Sequence, residues 1–145
     1  MTPDDLTRLR DQLTQDEGWK PYAYQDSRGY WTIGYGRLID GLKGGGITPD
    51  EGAYLLNNDI RRVLNQLNAF DWYSSQDDVR QAALANMAYN LGAQGINDGW
   101  PKFISALRAK DYTAAATELR NSRWYTQVAG RAERIIRLIE TGSYT

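Results

Sequence analysis

A segment of aromatic and β-favouring residues interrupts a chain whose other apolar residues recur at helical spacing. The segment extends from Trp19 to Gly36. Its β-favouring residues flank the turn-forming sequence Asp26-Ser27-Arg28-Gly29. This pattern predicts a β-hairpin or a small sheet. One such segment among helices indicates an α+β fold that is mostly helical.

The residues before this segment predict a first helix from about Pro3 to Asp16. Thr2 is an N-cap candidate, and Pro3 suits the first helical position. Apolar residues then follow at helical spacing: Leu6, Leu9 and Leu13. This helix would lead directly into the β-patterned segment.

A second helix begins with the sequence Thr48-Pro49-Asp50-Glu51. Thr48 is an N-cap, Pro49 takes the first position, and Glu51 is placed to complete a capping box. The apolar residues after it fall on one helical face: Ala53, Leu56, Ile60, Val63, Leu64 and Leu67. A long helix from 49 to about 68 is therefore predicted.

Cap residues and glycine stops predict four further helices. They run from a Ser75 cap to about Gly92, from Pro101 to Ala109, from an Asp111 cap to about Arg120, and from Ala129 to Glu140 with a stop at Gly142.

The chain of 145 residues has no repeat and no Pro/Ser linker, so we expect a single domain, 1–145. Within it, residues 17–48 would form a small β-containing lobe. Residues 1–16 and 68–145 would form a helical lobe, and the helix 49–68 would connect the two. A cleft between lobes is the natural place for a ligand in such an arrangement.

Missing residue types exclude much hydrolytic chemistry. The chain contains no cysteine and no histidine, which excludes thiol nucleophiles, Ser-His-Asp triads and nearly all zinc sites. A hydrolase of this composition would transfer protons through carboxylates, which favours glycoside hydrolysis. A net charge of -1 gives no reason to expect nucleic-acid binding.

Hydropathy gives two expectations about location. No stretch approaches the roughly 18 to 20 apolar residues that span a bilayer, so no stable membrane insertion is expected. The first fifteen residues are too charged for a signal peptide, so the sequence is expected to carry no export signal of its own.

Glu17, Asp26 and Thr32 follow the spacing E-x8-D-x5-T, and an aromatic-Thr-Ile-Gly-x-Gly stretch ends at Gly36. This segment resembles the active-site signature of the phage T4 lysozyme family, glycoside hydrolase family 24. Further similarities occur in order along nearly the whole chain: Ile47-Thr48 with Glu51, Asn58-Asp59, Asn86-Met87 to Gly92, Ser122-Arg123-Trp124-Tyr125, and Arg131. Taken singly, a glutamate like Glu17 is usually a solvated charge, an aspartate like Asp26 is usually a turn former, and a threonine like Thr32 is usually only a β-favouring strand residue.

The resemblance implies a lysozyme-like fold and an inverting muramidase that needs no metal or cofactor. It would hydrolyse the β-1,4 bond between N-acetylmuramic acid and N-acetylglucosamine in peptidoglycan. Glu17 would protonate the leaving oxygen, Asp26 would deprotonate the water, and Thr32 would hold that water. Inversion needs the two carboxyl groups roughly 6.5 to 9.5 Å apart.

The resemblance also points to substrate-binding residues: Leu38, Tyr89, Arg123 and Gln127. Trp31 is added because it adjoins Thr32, and Gly34 and Gly36 could let the backbone approach a sugar. A core position is equally reasonable for Tyr89, and Trp124 is assigned to the core.

Two arginines are predicted to support the site. Arg131 matches a family arginine that pairs with the acidic region at Asp16 and Glu17. Arg37 occupies the position of a family histidine that pairs with an aspartate matched here by Asp59, so an Arg37–Asp59 pair is predicted.

Two alternative functions remain open. A lytic transglycosylase would cleave the same bond with essentially one glutamate and leave a 1,6-anhydro sugar. A wall-binding module would keep the fold without catalysis. For the muramidase we expect a monomer that accumulates in the host cytoplasm, is released through a holin-type membrane lesion, and acts on periplasmic peptidoglycan.

Overall fold

The computed structural model describes residues 1–145 and contains nine α-helices, a three-stranded sheet and one short 3₁₀ helix at Gly41–Lys43. The strands are β1 (Lys20–Gln25), β2 (Trp31–Gly34) and β3 (Arg37–Leu38). The helices are α1 (Pro3–Glu17), α2 (Pro49–Leu67), α3 (Asp71–Ser74), α4 (Asp78–Leu91), α5 (Ala93–Gly99), α6 (Pro101–Arg108), α7 (Tyr112–Arg120), α8 (Arg123–Gln127) and α9 (Ala129–Thr141). The α+β, mostly helical class is confirmed.

The sheet is antiparallel with strand order β1-β2-β3. Thr32 is the central residue, because it pairs with Tyr24 on β1 and with Leu38 on β3. The register shifts between Lys20 and Tyr24, which marks a bulge in β1. The predicted hairpin around residues 26–29 is confirmed, and β3 adds a second, shorter hairpin.

Side-chain caps determine where the first two long helices begin. In α1, the Thr2 hydroxyl accepts from the Asp5 N–H at 3.2 Å, and Asp5 accepts from the Thr2 N–H at 2.9 Å. In α2, the N–H of Thr48 donates to Glu51 at 2.8 Å, and the N–H of Glu51 donates to Thr48 Oγ1 at 3.2 Å. These reciprocal bonds satisfy N–H groups that have no intrahelical partner.

The predicted Ser75 cap is wrong by two residues. Helix α4 begins at Asp78 because the Asp77 carboxylate accepts from the N–H of Arg80 at 3.0 Å. Ser75 instead follows the short helix α3 as its C-cap. An aspartate at the N-cap is as favourable as a serine, so Ser75 and Asp77 are both suitable N-cap residues for this helix.

The chain divides into two compact units, Met1–Ala53 and Tyr54–Thr145. The second unit contains all of the buried apolar core. Its largest fully buried side chains come from α2, α3, α4, α5, α6, α7 and α9: Trp72, Phe103, Leu67, Leu84, Met87, Ile96, Leu107, Leu119, Ile135, Ile136 and Ile139. Trp124 is also buried, as predicted.

The first unit contains α1, the sheet, the 3₁₀ helix and the start of α2. Helix α1 is therefore grouped with the sheet, whereas the sequence analysis grouped residues 1–16 with the helical lobe. No residue of α1 is buried, so its predicted packing on that lobe stays a prediction.

Candidate active site

Asp26 follows strand β1 and closes the hairpin turn with its side chain. Its Oδ1 accepts from the main-chain N–H of Arg28 at 2.8 Å and of Tyr30 at 2.9 Å. The Asp26 N–H donates to the carbonyl of Tyr30 at 2.9 Å. Because both side-chain bonds converge on Oδ1, the other carboxylate oxygen, Oδ2, is left to accept from a ligand or a water. The partly buried turn thus fixes the orientation of the carboxylate.

Thr32 lies one residue into strand β2 and is 4% exposed. Its hydroxyl donates to the carbonyl of Tyr30 at 3.0 Å. With its proton used in this bond, Oγ1 presents lone pairs and can accept from a water. The main chain of Tyr30 is therefore bonded to both Asp26 and Thr32, and it holds the two side chains in one arrangement.

Glu17 is the last residue of α1, and Gly18 ends the helix with a positive φ of 72°. The carboxyl group of Glu17 lies against the Cα of Gly36: a Cβ added there would be 2.6 Å from Oε2. Gly36 also has a φ of 74°, so a side chain is disfavoured for two reasons. The position accepts glycine because the carboxyl needs that space.

The two carboxyl groups therefore lie toward opposite ends of strand β2. Asp26 precedes the strand at its N-terminal end, and Gly36, beside Glu17, follows the strand at its C-terminal end. Four strand residues span about 10 Å. Two acids separated in this way could act on opposite faces of a substrate with a water between them.

Gly34 and Gly36, where the backbone could approach a sugar, also lie near side chains of the protein. Gly36 contacts Glu17, and a Cβ on Gly34 would be 3.7 Å from the indole of Trp19. Only the space beside Gly36 is filled, by the Glu17 carboxyl, because a Cβ on Gly34 would make an ordinary van der Waals contact. The approach of a sugar to these glycines stays a prediction.

Trp31 and Leu38 are close to Thr32 along the sheet. Trp31 precedes Thr32 and is 47% exposed, and its main-chain N–H donates to Asp40 Oδ2 at 3.3 Å. Leu38 pairs with Thr32 across the β2–β3 ladder and is half-buried. Their substrate-binding roles stay predictions.

The predicted Arg37–Asp59 pair is corrected by the structure. Arg37 donates to Glu51 Oε1 at 2.7 Å and to the carbonyl of Gly46 at 3.3 Å. Asp59 pairs with Arg62 at 2.9 Å, one turn along the same helix. Each charge is met by a closer opposite charge: Glu51 opens helix α2 beside the loop that follows β3, and Arg62 is at i+3 from Asp59.

The Arg37–Glu51 contact links strand β3 to the capping box of α2. The Arg37 guanidinium, followed by the N–H of Thr48, lowers the pKa of Glu51 to about 2. The capping box was visible in the sequence, but the partner of Glu51 from β3 was not. This ion pair was the main contact that sequence reasoning missed.

The remaining predicted residues belong to the second unit. Tyr89 on α4 is 47% exposed, which removes the core alternative. Arg131 on α9 donates to the side chain and carbonyl of Asn86, both at 2.9 Å. Tyr89, Asn86 and Arg131 border a groove of about 440 Å³ whose other lining residues are apolar. Arg123 and Gln127 form the two ends of α8, and the proximity of Arg131 to Glu17 stays a prediction.

No cluster of three or more His, Cys, Asp or Glu side chains is placed to hold a metal ion. None of the helices combines the length and apolar character required to cross a membrane.

The chain is similar to known proteins over most of its length. The sequence model described as phage lysozyme matches residues 14–137. The chain is 30% identical to probable T4-type lysozyme 2 of Dictyostelium discoideum, over 95% of this chain and 96% of the relative. It is 30% identical to peptidoglycan hydrolase gp36 of Pseudomonas phage phiKMV, over 94% of this chain and 16% of that protein. It is 29% identical to the pre-baseplate central spike protein Gp5 of Enterobacteria phage T4, over 93% of this chain and 28% of that protein.

Proposed function

The chain belongs to the phage lysozyme family, and on this basis we propose that it hydrolyses the β-1,4 bond between N-acetylmuramic acid and N-acetylglucosamine with inversion. As a member of this family it is a lysozyme-type glycosidase that acts on bacterial peptidoglycan.

Glu17 is the general acid of this proposal. Its carboxylic acid protonates the glycosidic oxygen as the bond to the anomeric carbon breaks. Its position at the end of α1 and its contact with Gly36 restrict where the carboxyl group can point. Support for the role comes from this restriction together with the exposure of the side chain, which a glycan can therefore reach.

Asp26 and Thr32 manage the attacking water. Oγ1 of Thr32 accepts one hydrogen of the water, and Oδ2 of Asp26 takes the other as a proton while the oxygen attacks the anomeric carbon. The bonds of both residues to the main chain of Tyr30 carry the proposal. A mechanism with a single glutamate has no need for a paired carboxylate and hydroxyl held in this way.

The products of a defined substrate test the reaction. Soluble peptidoglycan strands should yield reducing-end N-acetylmuramic acid, seen by mass spectrometry, and the first product seen by NMR should be the α anomer. A 1,6-anhydro product would replace hydrolysis with the transglycosylase reaction. An initial β anomer would exclude inversion.

Asp26→Asn separates the two-residue water site from a single-glutamate mechanism. The amide cannot accept the proton of the water, so hydrolysis should fall by about 10²-fold or more. Asp11→Asn, at an exposed position in α1, is the matched control and should retain activity. Near-normal hydrolysis by Asp26→Asn would reject the role of Asp26.

Absence of lysis of chloroform-treated Gram-negative cells by the unaltered chain would favour a wall-binding module.

We also propose the biological setting that the family membership suggests. The protein acts as a monomer, accumulates in the host cytoplasm and reaches the periplasmic peptidoglycan through a holin-type membrane lesion, which causes host lysis. Expression in cells with and without a holin tests this route. Periplasmic enzyme in cells that lack any holin would contradict it.

A further inference from the structure

Two exposed aromatic side chains form a pair beside the end of helix α1. The ring centroids of Trp19 and Tyr35 are 5.1 Å apart, and the ring planes are inclined by 47°. Trp19 is 62% exposed and Tyr35 is 51% exposed. The pair therefore presents aromatic surface to solvent instead of contributing to a core.

The pair is directly connected to the proposed general acid. Trp19 follows Glu17 by two residues, and Tyr35 immediately precedes Gly36, whose Cα lies against the Glu17 carboxyl. The indole of Trp19 also lies over Gly34, where a Cβ would be 3.7 Å away. The aromatic surface is thus continuous with the position of the catalytic carboxyl.

The indole of Trp19 differs from two buried indoles in its hydrogen bonding. Trp72 donates its indole N–H to Asn97 at 3.0 Å, and Trp124 donates to Asn90 at 2.8 Å. The indole N–H of Trp19 is left to solvent. Trp19 therefore has an apolar ring face that is largely exposed and an indole N–H that can donate to a ligand.

This combination matches a sugar ring. The C–H faces of a pyranose are apolar and slightly positive, which complements the negative face of an aromatic ring, and its hydroxyl and acetamido oxygens accept hydrogen bonds. We propose that Trp19 and Tyr35 bind a sugar ring of the peptidoglycan strand adjacent to the bond that is cleaved. The inference deepens the proposed function and rests on it.

Kinetics with soluble peptidoglycan strands test the inference. Trp19→Ala should raise KM about tenfold while kcat stays within about twofold, because stacking on the adjacent sugar ring contributes equally to binding in the ground state and in the transition state. Tyr35→Ala should have a smaller effect in the same direction. Trp19→Phe should restore most of the binding, since it keeps an aromatic face. Tyr22→Ala removes an exposed aromatic from β1 and should leave both constants unchanged.

A second measurement avoids any change at Trp19. In the catalytically inactive Glu17→Gln variant, oxidation of Trp19 by N-bromosuccinimide should slow when soluble glycan strands are added, as read from peptide masses. Unchanged oxidation of Trp19, or an unchanged KM for a folded Trp19→Ala variant, would overturn the inference.

If the aromatic surface bound a second copy of the chain instead of a glycan, the experiments would give different results. Tyr35 also borders a groove of about 390 Å³ lined by Leu6, Leu9 and Leu13 of α1, which a second copy of the chain could occupy. Sedimentation that shows dimers, lost in Trp19→Ala, would overturn the glycan assignment. If the chain makes no muramidase products, the proposed function itself fails. If it makes them and KM is insensitive to Trp19, only the present inference fails.

Discussion

The two units of the chain bury different kinds of side chain. Residues 54–145 bury a continuous set of apolar side chains between Val63 and Ile139. In residues 1–53 the one buried side chain is that of Thr32, a polar residue proposed to hold the water. Burial of apolar area is the main source of folding free energy. The second unit therefore contributes most of the core stability, whereas the first unit contributes the proposed chemistry.

Helices α1 and α9 show the same contrast. Both contain apolar residues at helical spacing, but α9 buries Ala132, Ile135, Ile136 and Ile139, and α1 buries none. The first unit is organised by local hydrogen bonds: capping boxes at Thr2 and Thr48 and the turn at Asp26. Such bonds orient side chains well and contribute little net stability each.

The largest expected effect is on activity and lies in the first unit. Glu17→Gln removes the proton donor and should lower hydrolysis by about 10² to 10⁴-fold. The melting temperature should stay nearly unchanged, because the side chain is exposed. Turbidity assays and thermal unfolding measure the two quantities. A large fall in melting temperature would contradict the proposal that Glu17 contributes to the chemistry and not to the stability.

The next effect is on stability and compares the same substitution in the two units. Leu107→Ala in the core should destabilise the protein by about 2 to 5 kcal/mol, because Leu107 is fully buried. Leu42→Ala in the first unit should change stability by less than about 0.5 kcal/mol, because Leu42 is 96% exposed. Denaturant unfolding tests both. Equal losses in the two variants would contradict the contrast between the units.

A backbone position of the first unit should affect both quantities moderately. Gly36→Ala forces an L residue to a positive φ, which costs about 1 to 3 kcal/mol, and its Cβ would displace the Glu17 carboxyl. Such a displacement should lower activity about 10 to 100-fold. Gly44→Ala is the control, since Gly44 has a similar φ and nothing within 4 Å of an added Cβ. Gly44→Ala should lose similar stability and retain activity; equal activity losses would remove the role of Gly36.

The smallest expected effect is pH-dependent and concerns Glu51. Arg37 and the N–H of Thr48 lower the pKa of Glu51 from 4.5 to about 2. The stabilisation is fully present above pH 4.5 and is lost as the pH falls through about 2. Glu51→Gln should therefore reduce the melting temperature slightly at pH 7, and the difference should shrink near pH 2.

Arg37→Gln tests the same contact from its other side. It should remove the part of the pH-dependent stabilisation that comes from the ion pair, and the double variant Arg37→Gln/Glu51→Gln should show non-additive losses at pH 7. Additive losses at that pH would mean that the two side chains are not coupled in solution.

The sequence alone predicted the features that depend on neighbouring residues. The N-cap at Thr2, the capping box at Thr48, the hairpin turn at Asp26 and the stop at Gly92 involve groups a few residues apart. Local propensity is sufficient for such features. The signature spacing likewise singled out Glu17, Asp26 and Thr32, although it did not reveal that Tyr30 joins the last two.

Which distant groups come into contact depends on the tertiary structure. Asp59 was the partner predicted for Arg37, but in the structure Arg37 pairs with Glu51 and Asp59 pairs with Arg62. The contact of Glu17 with Gly36 and the pairing of Trp19 with Tyr35 also join residues that lie more than ten positions apart. Helical spacing of leucines could not reveal that α1 buries none of them while α9 buries its apolar face. Charge and apolar character are properties of single residues, but the partner that satisfies them depends on the path of the whole chain.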